Sequence, residues 1–574
     1  MKRTFDRLAP LILAAIVAGA AGLALYWVFL IPILQAPDEP NHLSTALNIY
    51  SARKLISVRE PLHRWNSNQA GDHVYVSYLK EATNTDALIF HYSVKVPPGY
   101  GTREYYKAID RDAPGEESGG LDGKRRLQYG MLTTYPCGYY VALAIWLWIA
   151  ALFSGKVTAL FFAARGFSVL LLAVNLSLMY ATLRELKLGS MRALLLTAIV
   201  GFFPMTTFVS SYVQADNFTL MTVLLSCYVA VRMTRAFVTK NLVLLGSALT
   251  GLCLSKYHFF AAVLIAVSGL VISENLARHS RVAWWKISAV LLGPVVIGAL
   301  VHIWITAGSD PNLVLLNQST AHTELNQAMA RGKFTTVAYL IKGLGFAFSN
   351  FYLNGHTALT GSTFNSFWGD FGWTDTPLII FTPWKTNIIR NVIAIFCVVI
   401  FALTIVRLCQ VARRLIRIAR RRRASRALCI LFSNPLLNGY YIFTTMMFGL
   451  FMIARRSYGP QGRNWFPFIL AIFLNAVIYA PRAIRRLRIS AVISWGLMAG
   501  LGAYCVLGSI YAIPSVWNRF YDPLSVPPPY SLQMPVPEIE TPVMNALSLS
   551  RYTCQTRHRS RTDSCRVSAL KPGA

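Results

Sequence analysis

Acidic residues are scarce in this chain: 24 Asp and Glu among 574 residues, against 55 Lys and Arg. Charged residues of both signs make up only 14% of the sequence. A soluble domain carries about 25%, so an ordinary water-soluble globule is excluded. No nucleotide-binding Gly-rich motif and no internal repeat is present, so neither a nucleotide-fuelled machine nor a solenoid is indicated. Six of the nine cysteines (Cys227, Cys253, Cys397, Cys409, Cys429, Cys505) sit in apolar segments, where a buried free thiol is the ordinary state. The formal net charge of +31 would point to nucleic acid in a soluble protein. Here the basic residues cluster in short loops between apolar runs, which is a topology signal, and no nucleic-acid partner is expected.

What is abundant is apolar sequence, 55% of the chain. Runs of roughly 17–25 apolar residues recur, the length that crosses a bilayer as helix. A spanning backbone must satisfy its own hydrogen bonds, so the fold expected is all-α and polytopic. The start, Met1 to Arg7, is basic, and Leu8 to Leu34 carries no charge. A cleavable signal has an apolar core of about 7–15 residues. This segment is longer and reads as an uncleaved first helix with its N-terminus inside.

Eleven spans are expected, near 9–32, 161–183, 193–211, 217–234, 242–256, 257–273, 287–307, 387–410, 431–453, 465–480 and 489–513. Alternate loops then hold 24 of the 55 Lys and Arg, including eight arginines from Arg413 to Arg426. The opposite turns hold few: Lys256, Arg455, Arg456 and Arg463. That bias sets an inside N-terminus and an outside C-terminus. The apolar segment 135–153 would reverse everything downstream if it crossed. Its Tyr135, Tyr139, Tyr140, Trp146 and Trp148 suit the outer interface, although an ordinary span with a partner missed elsewhere remains open. Residues 1–513 thus form the transmembrane domain, with outer loops at about 33–160 and 308–386. Residues 514–574 form a Pro-rich, then basic, outer tail. Cys554 and Cys565 lie in that tail and are expected to pair in an oxidising compartment.

Four motifs can carry chemistry. The first is Ala36-Pro37-Asp38-Glu39-Pro40-Asn41-His42, just past the first helix. Adjacent carboxylates at a membrane surface can act as general base or metal ligand. Asp38 can equally be the N-cap of an amphipathic helix through Leu43, Ala46, Leu47 and Tyr50, and the two roles are compatible. The second is Asp216 at the outer start of a span, again a base or a cap, with Lys256 in a neighbouring outer turn. Lysine there can snorkel or hold an anionic headgroup. The third is Phe367-Trp368-Gly369-Asp370-Phe371-Gly372-Trp373-Thr374-Asp375. It is either an aromatic belt or a sugar-binding face, with Trp368, Asp370 and Trp373 as candidate contacts. The fourth is the turn Arg455 to Trp465, where Arg463 can bind phosphate through its guanidinium. Asp38, Glu39, Asp216, Lys256, Asp370 and Arg463 all fall on one face of the membrane.

In order along the chain, Gln35 to His42, Tyr135-Pro136 with Tyr139-Tyr140, Ala164-Arg165, Asp216, Ser255-Lys256, Phe367 to Trp373, and Gly462-Arg463 with Pro467 resemble a bacterial membrane family. It is domain-of-unknown-function family 2142, and the likeness covers about residues 30–480. Asn464-Trp465 departs from it, since the family pattern has tyrosine after the arginine. That family is similar to the GT-C glycosyltransferases, which resemble this chain in architecture: a large first outer loop with juxtamembrane helices, then a bundle of spans. The resemblance implies transfer of a sugar from a polyprenyl-phosphate donor to a cell-envelope glycan or lipid acceptor, on the outer face of the inner membrane. It implies Asp38, Glu39 and Asp216 as acid–base residues. His42, Arg165, Lys256, Trp368, Asp370, Trp373 and Arg463 would contact substrate or lipid phosphate. A divalent cation at Asp38 and Asp216 is a further expectation. A transporter would need charges or helix breaks near mid-membrane in symmetric halves, and His302 is the exception to their scarcity. A non-catalytic assembly protein would not need the acidic cluster.

Overall fold

The computed structural model describes residues 2–33, 36–52, 103, 107, 136–233, 237–278, 283–306, 367–371, 376–377, 388–420, 466–487 and 490–521. Its helices are α1 Lys2–Leu30, α2 Glu39–Ala52, α3 Gly138–Ala151, α4 Val157–Glu185, α5 Ser190–Gly201, α6 Pro204–Val209 and α7 Asp216–Met233. They continue with α8 Thr239–Cys253, α9 Tyr257–Arg278, α10 Trp284–Thr306, α11 Ile388–Arg420, α12 Ile469–Leu474 and α13 Ser490–Phe520. One minimal antiparallel pair, Asp370–Phe371 with Thr376–Pro377, is the only extended structure among the described residues.

Among the described residues, five helical segments are long and apolar enough to span: Phe5–Leu30, Thr158–Glu185, Trp284–Val301, Phe466–Ile484 and Ser490–Phe520. This count covers the described residues alone, so it does not confirm the eleven expected from hydrophobic runs, and two features of the described helices keep it low. One reason is length: α8 has 15 residues, about 22 Å of helix. A second is breakage. The run 193–211 is one expected span, but Pro204 forces Phe203 into an extended conformation (φ −63°, ψ 123°), as a residue before proline prefers. The result is α5 and the short α6. The expected span 431–453 lies outside the described residues, as do Cys554 and Cys565. The last helix runs through Pro514 to Phe520, beyond the expected domain boundary at 513.

Lipid-facing aromatics mark the thickness. On α10, Trp285 and Trp304 are both exposed and lie roughly 29 Å apart along the helix, close to the depth of a hydrocarbon core. The helix α3, with 14 residues, reaches about 21 Å, less than the roughly 30 Å of a hydrocarbon core. It packs beside α2 and α4 and exposes Ile145 and Ile149.

Side-chain contacts fix how the helices run. Tyr521 Oη donates to Leu30 O at 2.8 Å, so α1 and α13 end together. Their starts also meet. Ser190 Oγ donates to Asp6 Oδ1, and Arg192 on the same α5 turn lies over Trp495 of α13. Close helix approach is allowed by Gly298 of α10, whose added Cβ would stand 2.3 Å from Cys253 Sγ. An aromatic core holds the centre: Trp27 stacks on Phe371, and Phe203 meets Phe367, Trp368, Phe473 and Tyr504.

The stretch after Phe466 is irregular for a traceable reason. Asn475–Tyr479 forms a π-turn and Ala480–Leu487 a 3₁₀ segment. Pro481 has no N–H to give to Val477 O, four residues back. Ser494 Oγ donates to Val477 O instead. Asn475 Nδ2 donates to Thr404 Oγ1 at 2.7 Å, tying α11 to the same turn.

Candidate functional site

The chain leaves α1 into the Pro37-Asp38-Glu39 turn and enters α2. Asp38 is half-buried, with φ 58°. This left-handed conformation is uncommon outside glycine, and Asp tolerates it better than most residues. His42 N donates to Asp38 O at 3.1 Å, so the Asp38 carbonyl closes the first turn at the mouth of α2.

Glu39 is fully buried and meets Arg165 at two points. Arg165 Nε donates to Glu39 Oε1 at 2.8 Å and Nη2 to Oε2 at 2.6 Å. The remaining guanidinium hydrogens go to Val28 O and Ile31 O, both 2.7 Å, and Pro32 O, 2.9 Å. Those carbonyls have no acceptable helical donor at the end of α1. Arg165 therefore caps α1 while pairing with α2, and Val213 N donates to Glu39 Oε1 at 3.1 Å. This corrects two expectations. Arg165 has no N–H left for a phosphate, and Glu39 is a sealed partner of Arg165 rather than an exposed base.

Asp216, in the first turn of α7, forms an ion pair with Lys256 Nζ, and both side chains are buried. Ser255 Oγ and Thr219 Oγ1 are 3.0 Å apart beside them. The turn carrying Lys256 is braced by α3, since Gly138 N donates to Leu254 O at 2.7 Å. A Cβ at Gly138 would stand 2.8 Å from that oxygen, so the backbones can meet only at glycine. Tyr139, the next residue, is fully buried, and its phenol feels both the Glu39 and Asp216 carboxylates. Burial, reinforced by those two charges, pushes its titration far up. The two ion pairs lie at the same end of the bundle, since Val213, which bonds Glu39, is three residues before Asp216.

Other expected contacts lie elsewhere. His42 is buried; its Nδ1 is 2.8 Å from Tyr140 Oη and its ring stacks on Tyr140. Trp368 is buried in the aromatic core, and its carbonyl accepts from Tyr504 Oη. It offers no face to a sugar, so the aromatic motif packs rather than binds at that position. The Asp370 backbone pairs with Pro377. Trp373 and Arg463 lie outside the described residues. Among the described residues no cluster of three or more His, Cys, Asp or Glu could hold a metal, and Asp216 is taken by Lys256.

Sequence reasoning missed Arg519, buried at the end of α13 with its guanidinium 5.0 Å from the Phe520 ring. A cation in the last turn of an apolar helix was the available signal. It also missed that Tyr139, Ser168, Gln214, Asn217 and Thr219 would all be buried with the carboxylates.

The chain matches a family model, described as a predicted membrane protein (DUF2142), over residues 22–472. The chain belongs to the DUF2142 family. No curated protein matches it. As a DUF2142 member it is a membrane protein, in keeping with its apolar helices. The family match spans Asp38, Glu39, Arg165, Asp216 and Lys256 alike.

Proposed function

We propose that this DUF2142 protein is a GT-C-like glycosyltransferase of the bacterial inner membrane. It would move a sugar from a polyprenyl-phosphate donor to an envelope glycan or lipid acceptor on the outer face. The observation that carries the proposal is the placement of Asp38. It is the half-buried carboxylate next to a sealed ion pair, held in a left-handed conformation at the bundle end that also holds Asp216 and Lys256. Basic residues at the opposite end support an inside N-terminus and an outside active face.

In this proposal Asp38 takes the proton of the acceptor hydroxyl. The acceptor oxygen bonds to the anomeric carbon as the bond from that carbon to the donor phosphate oxygen breaks. The phosphate leaves with the electron pair. Lys256, fixed by Asp216, offsets its charge. Glu39 and Arg165 position Asp38 without touching substrate.

The test is Asp38→Asn. Asparagine keeps the size, caps a helix about as well and tolerates a positive φ. Transfer from a polyprenyl-phosphate donor should fall by about a hundredfold or more, with normal expression and insertion. Wild-type transfer by this variant would remove Asp38 as the base.

A further inference from the structure

The bundle end opposite Asp38 is basic. Exposed there are Arg7 at the start of α1, Arg184 in the last turn of α4 and Lys187 just after it, Lys240 at the start of α8, and Arg413 and Arg417 late in α11. Of the acids at this end, Asp6 accepts from Ser190 and Glu185 is only partly exposed.

Charge alone would satisfy a topology rule. What that rule does not require is the way several of these cations are held. Arg192 lies 5.3 Å from the Trp495 ring centroid, Lys286 5.6 Å from Trp285, and Arg482 5.1 Å from Tyr479. Arg232 lies 6.0 Å from the Tyr228 ring and its Nη1 donates to Tyr228 Oη at 3.0 Å. Trp285 and Trp495 are exposed at the ends of lipid-facing helices, where indole sits at headgroup level. A cation over such a ring is kept at that depth instead of extending into water. That depth is where lipid phosphates lie.

We propose that this face binds anionic phospholipid headgroups, with the seam of Arg192 on α5 and Trp495 on α13 as the principal contact. This seam joins two helices, and a guanidinium can hold a phosphate at two points. Basic pockets between spanning helices are known to take anionic headgroups. The inference stands independently of the proposed transfer reaction.

The experiment uses full-length protein in nanodiscs of phosphatidylcholine alone or with added phosphatidylglycerol, read by thermal unfolding. Phosphatidylglycerol should raise the midpoint by a few degrees, and salt should erase the gain. Arg192→Gln should lose most of the gain while unfolding like wild type in phosphatidylcholine. If that variant fails to insert, Arg192→Lys serves: it keeps the charge, loses the two-point fork, and should retain part of the gain. An equal gain in both variants overturns the seam. No gain in wild type overturns the surface. The same gain from inorganic phosphate in phosphatidylcholine nanodiscs shows a free-anion site and overturns the lipid assignment.

Discussion

Arg165 spends all five of its N–H donors on Glu39 and on carbonyls at and just past the end of α1, with neither charged side chain exposed to solvent. Three elements thereby meet at one guanidinium. A lysine could supply the charge but not the planar fork. Arg165→Ala should cost about 3–5 kcal/mol, the range for stranding one member of a buried pair, and Arg165→Lys should recover little of it. Thermal unfolding in detergent measures both. The double change Glu39→Gln with Arg165→Met should be milder than either single change, because no charge is left stranded.

A similar comparison separates structure from chemistry at Asp216 and Lys256. Lys256→Met leaves the Asp216 carboxylate buried without its partner and should lower stability. Asp216→Asn with Lys256→Met should regain the fold. Sugar transfer should stay lost in the double variant if Lys256 offsets phosphate charge. Recovered transfer would make the pair purely structural.

Gly138→Ala places a methyl 2.8 Å from Leu254 O, so α3 or the Lys256 turn must move. Overpacking of this kind costs about 1–3 kcal/mol. Because the displaced turn carries Lys256, donor affinity should weaken more than turnover. Steady-state kinetics against donor concentration would show the split.

Cys137, at the N-cap of α3, is buried, and burial pushes its thiol from an ordinary 9.0 up to about 11. The thiolate is the reactive form, so maleimide at neutral pH should label Cys137 only after denaturation. The raised value also gives a sign for stability. The contribution is whole below 9.0, where both states keep the proton, and is lost as pH rises toward 11. Ready labelling of the folded protein at neutral pH would contradict the burial.

Sequence alone could place Asp38, Asp216 and Lys256 at one end, because charge asymmetry between loops encodes helix direction. It could not show their partners. Glu39 and Arg165 are 126 residues apart, and Asp216 and Lys256 are 40 apart; nothing local in either motif specifies the other member. Arg165 stood as a candidate substrate or phosphate contact only because Ala164-Arg165 is part of the family resemblance. Its use as a cap for α1 is a tertiary fact. Nor does the residue pattern of the aromatic motif say which way Trp368 faces, and the structure buries it in the aromatic core. Hydrophobic runs do not show where a helix breaks, as at Pro204.

The π-turn at Asn475–Tyr479 winds more residues into its ring than an α-turn does. A single-residue deletion can therefore be absorbed within it. Removing one residue from Asn475–Ile478 would let an α-turn close over the gap, and the residues after it would keep their facing. Arg482 would stay over the Tyr479 ring, and Ser494 would still face the carbonyl that Pro481 leaves open. The same deletion within the regular helix α13 would instead rotate everything after it by roughly 100°, so the two helices differ in how they tolerate a change of length.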